Sequence, residues 1–319
     1  MRALVTGGAG FIGSNLCDYL ISRGLVVNCL DNLVSGYPSN ISHLLDHPNF
    51  EFTQGDVKDS LNVDVDIVFH LASPASPNPL YPGSYVNNPV ATMLANSVGT
   101  FNFLELAKSR GARVLFASTS EVYGNPTVSP QPESYWGNVD PIGPRSCYDE
   151  SKRFGEALAT EYSRNGVDVR IVRIFNTYGP RCHPQDGRVV PAFINQALDE
   201  SPITVHGNGT QTRSLCYVSD LVHGLWLAAT SDAASHEVIN LGNTDERSVL
   251  DYAILIKDLT GSRSEIVHIE RPAGDISNRR PDISKAQRLL GWRPVVGVRE
   301  GLIQAIDWYK ALRVPANNS

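Results

Sequence analysis

Tyr148 and Lys152 stand four residues apart, and on a helix that spacing puts both side chains on one face. An ammonium beside a phenol stabilises the phenolate and lowers its pKa from an ordinary value of ~10, which makes Tyr148 a candidate proton acceptor near neutral pH. The run Ser118-Thr119-Ser120-Glu121 ends 27 residues before Tyr148 and brings two hydroxyls and a carboxylate to what reads as the end of a strand. A Tyr-x-x-x-Lys pair alone is also common on ordinary helix surfaces. Its weight here comes from what lies upstream.

The elements that must position these groups are short apolar strands alternating with longer helical patterns through about residue 176. Strands are expected over 3–6, 26–30, 50–53, 67–70, 113–118 and 169–174. Val, Ile, Leu and Phe dominate them with little polar alternation, as in parallel strands buried on both faces. The expected fold is therefore α/β, a doubly wound parallel sheet, with a smaller C-terminal domain. The first strand runs into Gly7-Gly8-Ala9-Gly10-Phe11-Ile12-Gly13, a variant of the dinucleotide fingerprint in the strand–turn–helix setting that it requires. Gly7 permits the turn, Gly10 lets backbone approach a pyrophosphate and Gly13 lets the helix pack on the strand. Phe11 and Ile12 open that helix, whose amides face the phosphates. Asp31 lies 18 residues past Gly13, where a carboxylate accepts from a ribose diol and repels a 2′-phosphate, which favours NAD; the other reading is a turn aspartate. Asn32 is grouped with it. Asp56 and Val57 follow the third strand, at the adenine edge. Leu71 and Ala72 follow the fourth, on the nicotinamide side, beside a His70 that fits a core position equally well and carries no assigned chemistry.

The bulk numbers fit a soluble enzyme. The chain has 319 residues, with 42% hydrophobic, 19% charged and a net charge of −6, a balance that argues against nucleic acid as the main partner. No apolar run reaches the ~18 residues needed to span a membrane, and the chain opens directly on a strand pattern, with no signal peptide expected. Cys17, Cys29, Cys147, Cys182 and Cys216 are scattered, odd in number and form no Cys-x-x-Cys pair, so neither a zinc site nor a disulfide framework is expected. Free thiols in a cytoplasmic setting are the simplest reading.

Together these residues resemble the extended short-chain dehydrogenase/reductase superfamily, and within it the UDP-glucuronic acid decarboxylases, or UDP-xylose synthases. The matching runs are HLASPASP (70–77), ASTSEVYG (117–124), PQPESYWGNVDPIGPRSCYDESKR (130–153), IFNTYGPR (174–181), DGRVV (186–190), GTQTRSLCYVSD (209–220), RRPD (279–282) and LGW (290–292). The resemblance implies bound NAD, a nucleotide-sugar substrate and a homodimer. It places Thr119 on the reacting hydroxyl, Ser120 and Glu121 around a substrate carboxylate, and Arg279 near the same site as proton donor or holder of a water. It implies that Tyr148, as phenolate, takes the C4 hydroxyl proton while hydride leaves C4. A 4-keto acid then loses CO₂, and hydride returns to give UDP-xylose, making the chain a lyase on an oxidoreductase fold. Related 4,6-dehydratases carry Thr-Asp-Glu where this chain has Thr119-Ser120-Glu121, and serine is a poor acid but a good partner for a carboxylate. A 4,6-dehydratase or 4-epimerase on a neutral sugar, or a non-catalytic NAD-sensing protein, stay as alternatives, because fold does not settle reaction.

After Asn176 the β/α rhythm breaks at Gly179-Pro180-Arg181. The expected division is 1–176 for NAD, with 216–243 returning to it, and 177–215 with 244–319 for the nucleotide sugar. Arg188 and Arg213 are the candidate diphosphate ligands, with Asn176 and Arg181 close by; Arg299 and Arg313 are expected in solvent, and 315–319 frayed. Two departures stand out. The relatives resembled carry lysines near Ala91 and Leu94, absent here, and 78–87 is longer than usual, rich in Pro and Tyr, and placed to reshape the site entrance.

Overall fold

The computed structural model describes residues 1–271, 276 and 278–313; the terminal run 315–319 lies outside them. Thirteen strands and nine α-helices are present among the described residues. The strands are β1 (Arg2–Thr6), β2 (Val26–Asp31), β3 (Phe50–Gln54), β4 (Ile67–His70), β5 (Arg113–Thr119), β6 (Val169–Ile174), β7 (Thr177–Tyr178), β8 (Ile203–His206), β9 (Thr212–Ser214), β10 (Cys216–Tyr217), β11 (Val238–Leu241), β12 (Glu246–Ser248) and β13 (Ile266–Ile269). The helices are α1 (Phe11–Ser22), α2 (Pro89–Leu94), α3 (Thr100–Arg110), α4 (Ser146–Arg164), α5 (Val189–Leu198), α6 (Val218–Thr230), α7 (Val249–Thr260), α8 (Ser284–Leu290) and α9 (Val298–Ala311).

Seven parallel strands form the main sheet in the order β11-β6-β5-β4-β1-β2-β3. The chain steps outward from β1 through β2 to β3, then returns to the other side of β1 for β4. That reversal opens a crevice beyond the carboxyl ends of β1 and β4, where ligands of doubly wound sheets sit. The register aligns those ends: Thr6 pairs with His70, His70 with Phe116, Thr119 with Ile174 and Ile174 with Leu241. Gly7, Leu71, Ser120 and Phe175 therefore leave the sheet at one rim. The strands lie where the apolar runs put them, and β11 falls within 216–243, the stretch expected to return to this half.

The rest of the chain packs three two-stranded pairs, β7 with β10, β9 with β12 and β8 with β13, around α5, α7 and α9. One buried cluster runs from Val5, Leu16 and Val27 through Leu221 and Leu225 of α6 to Ile194, Tyr252 and Leu302. The smaller layer is therefore clamped to the sheet by shared core. Two of the motif runs are structural here. Trp292, 1% exposed, donates its indole N–H to the Asp220 carbonyl at 2.9 Å, and Asp220 Oδ2 accepts from Val295 and Val296 amides. Leu-Gly-Trp and Val-Ser-Asp thus lock to each other. No helix among the described residues is long and apolar enough to cross a membrane.

Candidate active site

The nucleotide end is built from backbone. Gly7 has φ +72°, and a Cβ there would lie 2.9 Å from the Ala72 amide; a Cβ on Gly13 would lie 2.1 Å from the Gly7 carbonyl. The turn closes only with glycine at both places. Helix α1 starts at Gly10 with no side-chain cap and no acidic residue in its first turn. Its first amides therefore have no intrahelical partner and face a space suited to phosphate oxygens. Phe11 and Ile12, partly buried, anchor this turn on the core.

Asp31 ends β2 at 7% exposure, with Oδ2 accepting from the Ala9 amide at 3.0 Å and Oδ1 from Leu33 at 2.8 Å. Burial pushes its carboxyl up, and those amides pull it down. The carboxylate is thereby fixed in orientation, with lone pairs left for a ribose. Asn32 donates to Asp56 Oδ2 at 3.1 Å, tying the second rim loop to the third, and Val57 is buried beneath Gly99. Leu71 and Ala72 return their amides to Thr6, at its carbonyl and its hydroxyl. This Gly-lined cradle beside a fixed carboxylate fits a dinucleotide. His70 is a core residue: Thr6 and Thr100 hydroxyls hold its two nitrogens at 2.8 and 3.2 Å, and burial pushes it down to about 3.

At the chemical end, β5 runs into a 3₁₀ turn, Ser120–Tyr123, capped by the Thr119 hydroxyl, which accepts from the Glu121 amide at 3.2 Å. Helix α4 is fixed under it by Glu156, which pairs bidentately with Arg173 at 2.9 and 2.7 Å and accepts from Ser118 at 2.5 Å. Tyr148, 8% exposed, is thereby carried close enough to Thr119 for that side chain to act on its phenol. Burial pushes its phenol up to about 12, with Thr119 pulling the other way.

Lys152 corrects one expectation. It is 3% exposed on the same helix face, but its ammonium donates to the Ala117 carbonyl at 2.7 Å and lies over the Phe116 ring. Burial pulls it down to about 7. Burial leads the influences on the Tyr148 phenol, followed by Thr119, Glu121, Arg188 and Asp149, and Lys152 is not among these leading ones.

Glu121 is the centre of the site. Arg145 Nη2 lies 2.5 Å from its Oε2 and Arg279 Nη1 3.2 Å from its Oε1. Burial raises the carboxyl, but the guanidiniums of Arg279, Arg145, Arg213 and Arg188 outweigh it and hold the carboxyl below its usual range. Arg279, 2% exposed, also donates to Ser120 Oγ at 3.2 Å and to the Gly124 carbonyl at 3.0 Å. Its segment is zipped to Gln131, which exchanges backbone bonds with Arg280 and Asp282 and accepts from the Arg280 amide through its side chain. Residues separated by 158 positions of chain, from 121 to 279, are thus brought into contact.

The substrate candidates divide. Arg188, at the N-cap of α5, pairs with Asp186 at 2.7 Å and is close enough to perturb both Glu121 and Tyr148. Arg213, on β9, also acts on Glu121. Asn176 sits between β6 and β7, its carbonyl accepting from Cys216. Arg181 is a correction: Asp18 on α1 holds it at 2.6 Å, so it braces α1 and does not join the cations around Glu121. Ala91 and Leu94 are exposed on α2, away from that cluster. Arg299 is exposed, and Arg313 forms a surface pair with Asp199.

Three site residues went unassigned from sequence. Arg145 lies three residues before Tyr148, a spacing that already shared its helix face. Tyr85, from the long 78–87 segment, stacks on Tyr148 with ring centroids 5.0 Å apart and 9° between planes. That segment is strapped to the 183–186 loop by Asn78 to the Gln185 carbonyl at 2.8 Å and by Tyr81 stacked on His183. The third is Asp149, 7% exposed, pushed up to about 7 by burial and then Glu121, against Arg145 and Arg279. Its folded pKa lies above the ordinary 3.8, so its stabilising contribution is complete below about 4 and is lost as pH rises through about 7. Asp149→Asn is therefore expected to raise stability at pH ~8 by on the order of a few kcal/mol and to change little near pH ~4, read by paired thermal melts.

Comparison with known proteins places this geometry. The model of the "NAD dependent epimerase/dehydratase family" matches residues 3–242. "UDP-glucuronic acid decarboxylase 1" of Xenopus tropicalis is 50% identical over 319 residues, covering 99% of this chain and 74% of that protein. "UDP-glucuronic acid decarboxylase 3" of Arabidopsis thaliana is 49% identical, covering 99% and 92%. Among solved structures, the UDP-glucuronic acid 4-epimerase of Bacillus cereus, in complex with UDP-glucuronic acid and NAD, superposes with a TM-score of 0.84 at 30% identity, covering 98% of this chain and 100% of that one. The UDP-glucose 4-epimerase of Thermotoga maritima, solved with UDP-glucose, gives 0.88 at 31% identity, with 98% and 99% covered.

Proposed function

The chain belongs to the NAD dependent epimerase/dehydratase family, and from that premise we propose that it converts UDP-glucuronate to UDP-xylose and CO₂ through a 4-keto sugar. The observation that carries this reading is Glu121 beside Ser120, held between Arg279 and Arg145, the latter one turn before Tyr148 on α4. An enzyme acting on a neutral sugar has little use for such a charged nest, whereas a carboxylate substrate is both attracted and oriented by it. The curated relatives at about half identity are named for this reaction. NAD is the cofactor: when bound it takes up the C4 hydride, gives it back later, and as a cation favours the phenolate of Tyr148.

The chain's own residues do the rest. Thr119 holds the C4 hydroxyl, and Tyr148 takes its proton and finally returns it. With a ketone at C4, the carboxylate at C5 is β to a carbonyl, and its C–C bond electrons pass into the carbonyl as CO₂ departs. Ser120 donates to the carboxylate, and Glu121 keeps the arginines from gripping it too firmly. Arg188 and Arg213, with Asn176, hold the diphosphate end. Lys152, a donor at the rim of β5, is positioned to hold ribose hydroxyls of the cofactor. Residues 1–176 with 216–243 form the NAD half in this reading, and 177–215 with 244–319 the sugar half. Incubation with UDP-glucuronate and catalytic NAD⁺ tests it: UDP-xylose and CO₂ without net NADH are expected, and an intact substrate or an epimerised acid contradicts it.

The working form in this reading is a homodimer. Val90, Met93, Leu94, Val98 and Phe101 are exposed along α2, the π-helical turn Ala95–Gly99 and α3 at spacings of three, one, four and three, and Phe154 is exposed on α4. Such a stripe supports a two-fold contact with a second copy of the same helices. Sedimentation is expected at twice 34.8 kDa, and Val98→Asp with Phe101→Asp to weaken the dimer at least ~100-fold. A wild-type monomer at micromolar concentration contradicts it. Five free cysteines support a reducing compartment such as the cytoplasm.

A further inference from the structure

Decarboxylation by this route has an unmet proton requirement. The carboxylate leaves as neutral CO₂, so C5 must gain one proton from solvent in every turnover. Tyr148 does not supply it, because the proton it takes from the C4 hydroxyl is the one it returns to the C4 oxygen. Glu121 is held as a carboxylate by its arginines. The guanidinium of Arg279 is a poor acid, and the Lys152 ammonium is turned to the Ala117 carbonyl.

Among the described residues, the buried polar atoms without a hydrogen-bond partner include the Tyr85 hydroxyl, Arg145 Nε and Asp149 Oδ1; Arg145 pairs with Glu121, and Tyr85 and Asp149 lie within its electrostatic reach. They are carried by two elements. Arg145 and Asp149 are one turn apart at the start of α4, and the Arg145 carbonyl accepts from the Asp149 amide at 3.0 Å. Tyr85 arrives on the long 78–87 segment, stacked on Tyr148, and its phenol is within electrostatic reach of Arg145, Glu121 and Asp149. One atom is a donor, one an acceptor or acid, and one can be either, roles that match those a buried water takes. The charged and titratable groups around Asp149 are Glu121 from the 3₁₀ turn, Arg145, Tyr148 and Glu150 from α4, Tyr85 from the strap and Arg279 from the segment before α8.

We propose that Asp149, in its acid form, delivers the C5 proton through a water held between Asp149, Arg145 and Tyr85. The Asp149 O–H bond breaks as an O–H bond to the water forms. Another O–H bond of that water breaks as C5–H forms from the enolate electron pair, restoring the C4 carbonyl. Asp149, left as carboxylate, takes its next proton from solvent. It acts through the water and does not touch the reacting carbon. The proposal rests on the decarboxylase reading, and the two fail differently.

The test compares wild type with Asp149→Asn and Asp149→Glu in single turnovers of UDP-glucuronate, following NADH absorbance, and in D₂O with NMR of the product. NADH is expected to rise in Asp149→Asn within about threefold of wild type and to decay at least ~30-fold more slowly, because the ketone cannot be reduced to product until C5 is protonated. Deuterium at C5 of UDP-xylose, on one face in wild type, is expected on both faces in Asp149→Asn and on one face again in Asp149→Glu. In wild type alone, the decay is expected to slow as pH rises through about 7 while the rise does not. Unchanged decay with one-faced deuterium overturns the proposal, as does loss of the NADH rise together with the decay, which marks a structural role. A wild type that makes no UDP-xylose overturns the decarboxylase reading and this one with it.

Discussion

Tyr148→Phe is expected to lower kcat by roughly 10³-fold and to abolish the NADH transient, while NAD binding and thermal stability stay near wild type. The phenol oxygen is the only atom removed. Phenylalanine keeps the stack on Tyr85, 5.0 Å away, and the ring's burial. What disappears is the group that takes the C4 hydroxyl proton from beside Thr119. In the protein alone burial pushes that phenol up to about 12, with Thr119 pulling the other way. The variant is checked by steady-state kinetics and by single-turnover absorbance. Activity within about tenfold of wild type assigns the proton transfer elsewhere.

Glu121→Gln carries the second large effect, with a distinctive signature: kcat falls by about 10²–10³-fold while KM falls or stays level. The reason is electrostatic. Arg145 and Arg279 both spend their charge on Glu121, at 2.5 and 3.2 Å. A neutral side chain leaves them to pair with the substrate carboxylate instead. That carboxylate must lose its charge as CO₂ leaves, so a tighter grip stabilises the ground state more than the transition state. Removing one partner of a buried pair also destabilises the fold, by about 3–5 kcal/mol when the remaining charge is unpaired. A variant with unchanged kcat and a KM raised many-fold contradicts this role and makes Glu121 a binding residue.

Much of this site was legible before the structure, for reasons that differ by residue. Gly7, Gly10 and Gly13 announce a turn that tolerates no Cβ at two of them, because the constraint is local to one strand–turn–helix unit. The strands followed apolar runs, and β11 lies in the stretch 216–243 that was expected to return to the first half. Thr119, Glu121, Tyr148 and Arg279 carried the resemblance, and the fold brings them together. What was not legible depends on contacts between distant segments. The preference of Lys152 for the Ala117 carbonyl is set by how α4 lies on β5, which helical spacing does not reveal. Arg181 reads like a phosphate ligand until Asp18 on α1 is seen to hold it. Tyr85 was hidden in the Pro- and Tyr-rich segment 78–87, and Asp149 looked like one more acidic residue in a helix. Only burial beside Glu121, without a partner for Oδ1, separates it from Glu150 next to it.

The central claim is that one site oxidises C4, expels CO₂ and returns the same hydride. It is tested most directly with UDP-glucuronate bearing deuterium at C4 and heavy carbon in its carboxyl group, turned over with unlabelled NAD⁺ present in excess. The account predicts that all the heavy carbon leaves as CO₂ and that the UDP-xylose formed keeps its deuterium at C4, with none in free NADH. Deuterium washed out into the NADH pool, or heavy carbon retained in a nucleotide sugar altered only at C4, would contradict it.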